Sequence, residues 1–142
     1  FVSMPIAEER RASYVIEALS KGAIAVITDA KVENGAAIQL EDFQQGIWQL
    51  AKRAFGDPSQ KLRCLGVTGT NGKTTSAWML RHALDHLEGS AAYLGTLGWY
   101  QDGIWTEVGN TTPWVVDFYR LLEAAVQTGQ KSVSLEVSSH AL

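Results

Sequence analysis

One cysteine, Cys64, stands in a chain of 142 residues. No disulfide can close within it, and so sparse a use of thiols fits a reducing compartment such as the cytoplasm. Cys64 lies inside the apolar run 62–67, which predicts a buried structural thiol rather than a nucleophile. No apolar stretch approaches the ~18 residues that span a bilayer, and no secretory leader is visible. A membrane partner is therefore not expected. Charge of one sign is also scarce: 12 Lys and Arg against 15 Asp and Glu leave a net charge of −3. That argues against a broad basic surface for nucleic acid. Internal repeats and low-complexity stretches are lacking. So is an initiator methionine. Phe1-Val2-Ser3 reads as the end of a strand and 138–142 stops in a polar turn, so a piece of a longer protein is expected.

What is present is the composition of a globular domain, with 46% hydrophobic and 19% charged residues. Ala12, Val15, Ile16 and Leu19 recur at helical spacing over 8–20, and Gly22 stops that helix. Short strands are expected at 23–28 and 36–40. A helix then begins at Glu41-Asp42, with Phe43, Ile47, Leu50, Ala51 and Ala54 inward. Gly56-Asp57-Pro58-Ser59 breaks the chain. The expected division is a first module at 1–58 and a second at 59–142.

The second module reads strand 62–68, helix 73–87 with Ala77, Leu80, Leu84 and Leu87 inward, and strand 91–97. Asp102-Gly103 between Trp99-Tyr100 and Ile104-Trp105 predicts a hairpin. Thr112-Pro113 opens a helix as N-cap and first residue, and a last strand covers 131–137. Strands alternating with helices predict an α/β fold with a mainly parallel sheet.

Between the first strand and helix of this module runs Gly66-Val67-Thr68-Gly69-Thr70-Asn71-Gly72-Lys73-Thr74-Thr75. A glycine-rich turn entering a helix lets backbone N–H groups face a phosphate chain. Lys73 supplies positive charge for the β/γ-phosphates and the Thr74 hydroxyl is a Mg²⁺ ligand. The cofactor-binding candidates are thus Gly69, Thr70, Asn71, Gly72, Lys73, Thr74 and Thr75, for ATP or GTP. The loop departs from the general pattern, because Val67 stands where its first glycine would fall.

Glu136 ends an otherwise apolar-and-serine strand, Ser132-Val133-Ser134-Leu135-Glu136-Val137. Ligands of open α/β sheets bind at that end of the strands. A carboxylate there suits a Mg²⁺ ion bridging nucleotide phosphates. Ser138, Ser139 and His140 continue from the same tip, His140 as a candidate metal-shell residue. Asn110-Thr111-Thr112 before a helix N-terminus is a candidate anion or substrate contact. His82 and His86 stand four apart but lack the Glu of an H-E-x-x-H site, so a solvated helix face is expected. Trp78, Trp99, Trp105 and Trp114 read as packing residues.

Thr68–Thr75, then Asn110-Thr111-Thr112-Pro113, then Glu136-Val137-Ser138-Ser139-His140 together resemble the motifs of the Mur ligases, and of their MurE type (UDP-N-acetylmuramoyl-tripeptide ligases) in particular. Residues 1–58 look like the latter part of that family's UDP-binding domain, and 59–142 like the start of its ATP-binding central domain. The resemblance implies an ATP- and Mg²⁺-dependent amide ligase of peptidoglycan synthesis. ATP would phosphorylate the terminal carboxylate of UDP-N-acetylmuramoyl-L-alanyl-D-glutamate, and the amine of a third amino acid would displace phosphate. Diaminopimelate and lysine are the usual third residues. It further implies Lys73 and Glu136 as the catalytic pair, Thr74, Glu136 and His140 around the metal, and Asn110, Thr111, Thr112 and Ser138 on the UDP-linked substrate. The family's downstream lysine and amino-acid-reading domain do not occur within 1–142, so the piece alone is expected to be inactive. A folylpolyglutamate- or cyanophycin-type ligase, or a nucleotide-binding module without turnover, stands as the alternative.

Overall fold

A computed structural model describes residues 8–29 and 36–138, and the chain divides into two compact units, 1–49 and 50–142. The division falls inside a helix, whereas the sequence marks its break at 56–59. Among the described residues no helix is long and apolar enough to cross a membrane.

In the first unit, helix α1 (Glu8–Ser20) packs on strand β1 (Val26–Thr28), which pairs in parallel with β2 (Ala37–Gln39). Val15, Ala18 and Val26 form a buried apolar cluster there, with Leu19, Ala23 and Ala37 against them. Gly22 takes φ 93°, a left-handed turn that suits glycine and ends α1. Helix α2 (Phe43–Ala54) buries Phe43, Ile47 and Ala51. Leu50, expected on that stripe, is 44% exposed.

The second unit is built on a five-stranded sheet, β3-β7-β4-β5-β6. β3 (Arg63–Val67), β7 (Ser132–Glu136) and β4 (Ala91–Gly95) are parallel, as expected. β5 (Gly98–Gln101) and β6 (Ile104–Thr106) extend the sheet antiparallel. Their turn is the expected hairpin: Asp102 and Gly103 both take positive φ, 50° and 83°. Helix α3 (Lys73–Glu88) follows β3, and α4 (Val115–Gln127) precedes β7.

Strand alternation decides what each face carries. Val133 and Leu135 of β7 join Ala92, Leu94, Leu122 and Ala125 in the main core. Ser132, Ser134 and Glu136 take the opposite parity of β7. There the Ser134 hydroxyl donates to the Ala77 carbonyl of α3 at 2.8 Å, so the buried serine is satisfied and small enough for the helix to come close.

Three packing expectations are corrected. Cys64 is exposed, because β3 forms the edge of the sheet among the described residues. Its thiol pKa is nevertheless raised, by partial desolvation. Leu87 of α3 is 78% exposed, and the buried position beside Ala77 and Leu84 is Arg81, whose guanidinium donates to the Ala91 carbonyl and pairs with Asp85. Thr112 does not cap α4. The helix starts at Val115 after an extended Trp114, and the Thr112 hydroxyl is engaged elsewhere.

Candidate nucleotide site at the sheet edge

The loop between β3 and α3 leaves the C-terminal end of the parallel strands. Gly69 and Gly72 take φ 141° and 78°, and Gly72 is the N-cap of α3 with no side chain satisfying the first turn. The first amides of a helix lack intrahelical partners and are available to an anion. Thr68–Gly72 are exposed. A Cβ at Gly69 would meet nothing nearer than the Asn71 carbonyl at 3.9 Å, so the arc is open. Lys73 folds back across it, its Nζ donating to the Gly69 carbonyl at 2.8 Å and to that of Thr70 at 3.4 Å. These neutral acceptors are weaker partners for an ammonium than a phosphate oxygen would be.

Behind the loop lies Glu136, 2% exposed. Its Oε2 accepts from the Thr74 hydroxyl at 2.9 Å and from the Thr96 hydroxyl at 3.1 Å. Its Oε1 accepts from the Thr96 amide at 3.0 Å and from the Tyr93 hydroxyl. Every one of these donors is neutral, and among the described residues no lysine, arginine or histidine forms an ion pair with Glu136. An ionised carboxylate buried without a cation is penalised by an amount on the order of several kcal/mol. A hard divalent cation beside Oε2 and the Thr74 hydroxyl would relieve that penalty. Two hard oxygen donors side by side fit Mg²⁺, which completes its shell with phosphate oxygens and water. Among the described residues no three His, Cys, Asp or Glu side chains gather as a metal cage.

The polar segment before α4 reaches the same edge. The Thr111 hydroxyl lies 3.1 Å from that of Thr96. Thr112 Oγ1 donates to the Glu136 carbonyl at 3.3 Å and accepts from the Ser138 amide at 3.2 Å. Asn110 is exposed in that segment. Loop, Glu136, Thr111, Thr112 and Ser138 therefore gather at one end of the sheet, though they are far apart in sequence. Ser139 and His140 lie outside the described residues. His82 and His86 are exposed on α3, the His82 ring edge-on to Trp78 at 4.7 Å.

Tyr93, Gly95 and Thr96 carry no motif and are not candidates from the sequence alone. One signal was available: they sit at the end of β4, one strand over from Glu136. Gly95 is the gap that makes room for the carboxylate, since a Cβ there would stand 2.6 Å from Glu136 Cδ. The Tyr93 pKa is raised, first by burial and then by its bond to Glu136, so the hydroxyl remains a donor. An open groove of about 590 Å³ near Lys61, Arg63 and Lys131 lies at the other end of β3 and takes no part.

Comparison with known proteins places the fold in a family. The family profile described as the Mur ligase middle domain matches residues 67–142. The UDP-N-acetylmuramoyl-L-alanyl-D-glutamate–2,6-diaminopimelate ligase of Thermosynechococcus vestitus is 38% identical over 146 residues, covering 100% of this chain and 29% of the relative. A solved structure of a ligase of that same name superposes with a TM-score of 0.86 at 27% identity, covering 99% of this chain and 29% of the other. A MurF ligase from Thermotoga maritima, solved in complex with ADP, shares the fold with a TM-score of 0.59 at 22% identity, over 98% of this chain and 29% of its own. The chain thus spans about 29% of the length of the relatives it matches.

Proposed function

The chain belongs to the Mur ligase family, and from that premise we propose that the full-length protein carrying it is an ATP-dependent amide ligase of the MurE type. Its reaction adds the third amino acid to UDP-N-acetylmuramoyl-L-alanyl-D-glutamate, through an acyl phosphate, in peptidoglycan synthesis. The names of its relatives support 2,6-diaminopimelate as that amino acid. The cytoplasm, which supplies ATP and the UDP-linked precursor, is the proposed location.

The observation that carries this reading is the pairing of the Thr74 hydroxyl with the buried Glu136 directly behind the glycine loop. Gly69–Gly72 and the start of α3 bind the phosphate chain, and Lys73 leaves its carbonyl partners for the β/γ-phosphates. Thr74 and Glu136 would hold Mg²⁺, which when bound supplies positive charge beside the transferring phosphoryl group. Asn110, Thr111, Thr112 and Ser138 orient the UDP-linked substrate so that its carboxylate meets the γ-phosphate. Positioning and charge neutralisation are what such chemistry needs from a protein. The metal-shell role of His140 belongs to this proposal.

The test is phosphate release by the full-length protein supplied with ATP, Mg²⁺, the UDP-linked dipeptide and diaminopimelate. Formation of the amide product is expected, with Lys73→Ala slowing it by roughly 100-fold or more. Tight ATP binding with no product from diaminopimelate or lysine would rule the ligase reading out. Product formation at the wild-type rate by Lys73→Ala would rule out the assigned role of the loop.

A further inference from the structure

Glu136 presents two oxygens to two different surroundings. Oε1 faces the Tyr93 hydroxyl and the Thr96 amide, both held by the sheet. Oε2 faces two side-chain hydroxyls, those of Thr74 and Thr96. The second pair can rotate away and still find partners. The first cannot, because an amide proton is fixed and the Tyr93 ring is clamped. Tyr93 is fully buried, its ring edge-on to Trp78 at 5.4 Å and 89° and to Trp105 at 5.9 Å and 74°. Trp78 in turn lies 5.1 Å from both Tyr100 and Trp105, and the Arg81 guanidinium sits over Tyr100 at 4.7 Å. The cluster ties α3 to the β4-β5-β6 part of the sheet and leaves the Tyr93 hydroxyl one direction to point. Gly95 keeps the line between that hydroxyl and the carboxylate open: a Cβ there would lie 2.5 Å from the Tyr93 oxygen and 2.6 Å from Glu136 Cδ.

We propose that Tyr93 is a positioning residue for the metal carboxylate, its clamped hydroxyl fixing Oε1 of Glu136 so that Oε2 alone is turned to Thr74 as the ligand oxygen. This rests on the reading of Thr74 and Glu136 as cation ligands. It assigns the aromatic cluster a role beyond packing, since the rings packed on Tyr93 set the direction of the hydroxyl that holds the carboxylate. Partners of this kind, one bond removed from the metal, typically change its affinity by roughly ten- to a hundredfold.

The test measures Mn²⁺ binding to the full-length protein by electron paramagnetic resonance in the presence of ADP, and ADP binding alone in EDTA. Tyr93→Phe should weaken Mn²⁺ by roughly tenfold and leave metal-free ADP binding unchanged, as Glu136→Gln should do more severely. Wild-type Mn²⁺ affinity in Tyr93→Phe, with Glu136→Gln impaired, overturns the positioning role and leaves the ligand reading standing. Wild-type affinity in Glu136→Gln overturns both. Equal loss of metal-free ADP binding in Tyr93→Phe reduces Tyr93 to packing and also overturns the proposal. If Tyr93→Phe fails to fold, Gly95→Ala decides, because its added methyl wedges apart the same two groups: unchanged Mn²⁺ affinity there refutes the proposal.

Discussion

Glu136 is 2% exposed and receives hydrogen bonds from Thr74, Tyr93 and Thr96, all neutral. Those bonds hold its geometry, and among the described residues none of its partners carries a positive charge. Glutamine has the same shape. Its carbonyl can take the place of Oε1, and its amide can donate to the Thr74 and Thr96 hydroxyls, which rotate to accept. Glu136→Gln should therefore raise the unfolding free energy by about 1 kcal/mol in the absence of divalent cations, while destroying metal-dependent turnover. Urea unfolding in EDTA reads the first and phosphate release the second. A variant that is both less stable and inactive would mean that the carboxylate is structurally compensated in a way its neighbours do not show. Single residues also mark the limit of what a sequence discloses. Lys73, Thr74 and Glu136 were legible because loop spacing and strand position both point to them. Tyr93 and Gly95 were not, because their importance arises from a register between β4 and β7 that only pairing reveals.

The elements themselves followed from periodicity and punctuation. α1, α3, the hairpin and β7 fall close to where apolar spacing and turn residues place them. The departures have local causes. Leu87 is exposed, whereas Arg81, its guanidinium satisfied on the Ala91 carbonyl, is buried on the face of Ala77 and Leu84. The start of α4 shifts because Thr112 bonds to the end of β7 rather than to its own helix. Cys64 reads as core only if its strand is internal, and no local pattern distinguishes an edge strand from an internal one. The turn after α2 shows a side chain acting through charge. Asp57 takes a left-handed φ of 49°, receives the Ser59 hydroxyl at 2.6 Å and pairs with Lys52 at 3.3 Å. Its pKa is lowered from 3.8, first by Ser59 and then by Lys52. A carboxyl whose folded pKa is depressed stabilises the fold above its unfolded pKa, and that contribution is lost as pH falls through the folded value. Asp57→Asn tolerates the same backbone but removes the charge. Its Tm should lie slightly below wild type at neutral pH, and the gap should close well below pH 3.8. A gap independent of pH would locate the effect in geometry rather than charge.

At the scale of the molecule, the sheet gathers residues from four separate stretches at one end, around 68–75, 93–96, 110–112 and 136–138. Each stretch contributes little alone. The loop is exposed, the Thr111-Thr112 segment is held through Thr96, Glu136 and Ser138, and among the described residues no basic side chain pairs with Glu136. A ligand that joins them should therefore act on stability as well as on catalysis. Binding to the folded state alone adds RT ln(1 + [L]/Kd), about 2.7 kcal/mol when ligand stands at 100 Kd. Mg²⁺ with ADP should accordingly raise the Tm of the full-length protein by a few degrees. The two components should not contribute separately, because Lys73 and the loop amides need phosphate whereas Glu136 and Thr74 need the cation. EDTA should remove most of the shift, Mg²⁺ without nucleotide should produce little, and Lys73→Ala should abolish it while leaving the unliganded Tm near wild type. A full shift from ADP in EDTA would show that the loop binds phosphate without help from Glu136. The sheet edge would then be two independent sites, and the ligase reading would lose the coupling between nucleotide and metal on which it depends.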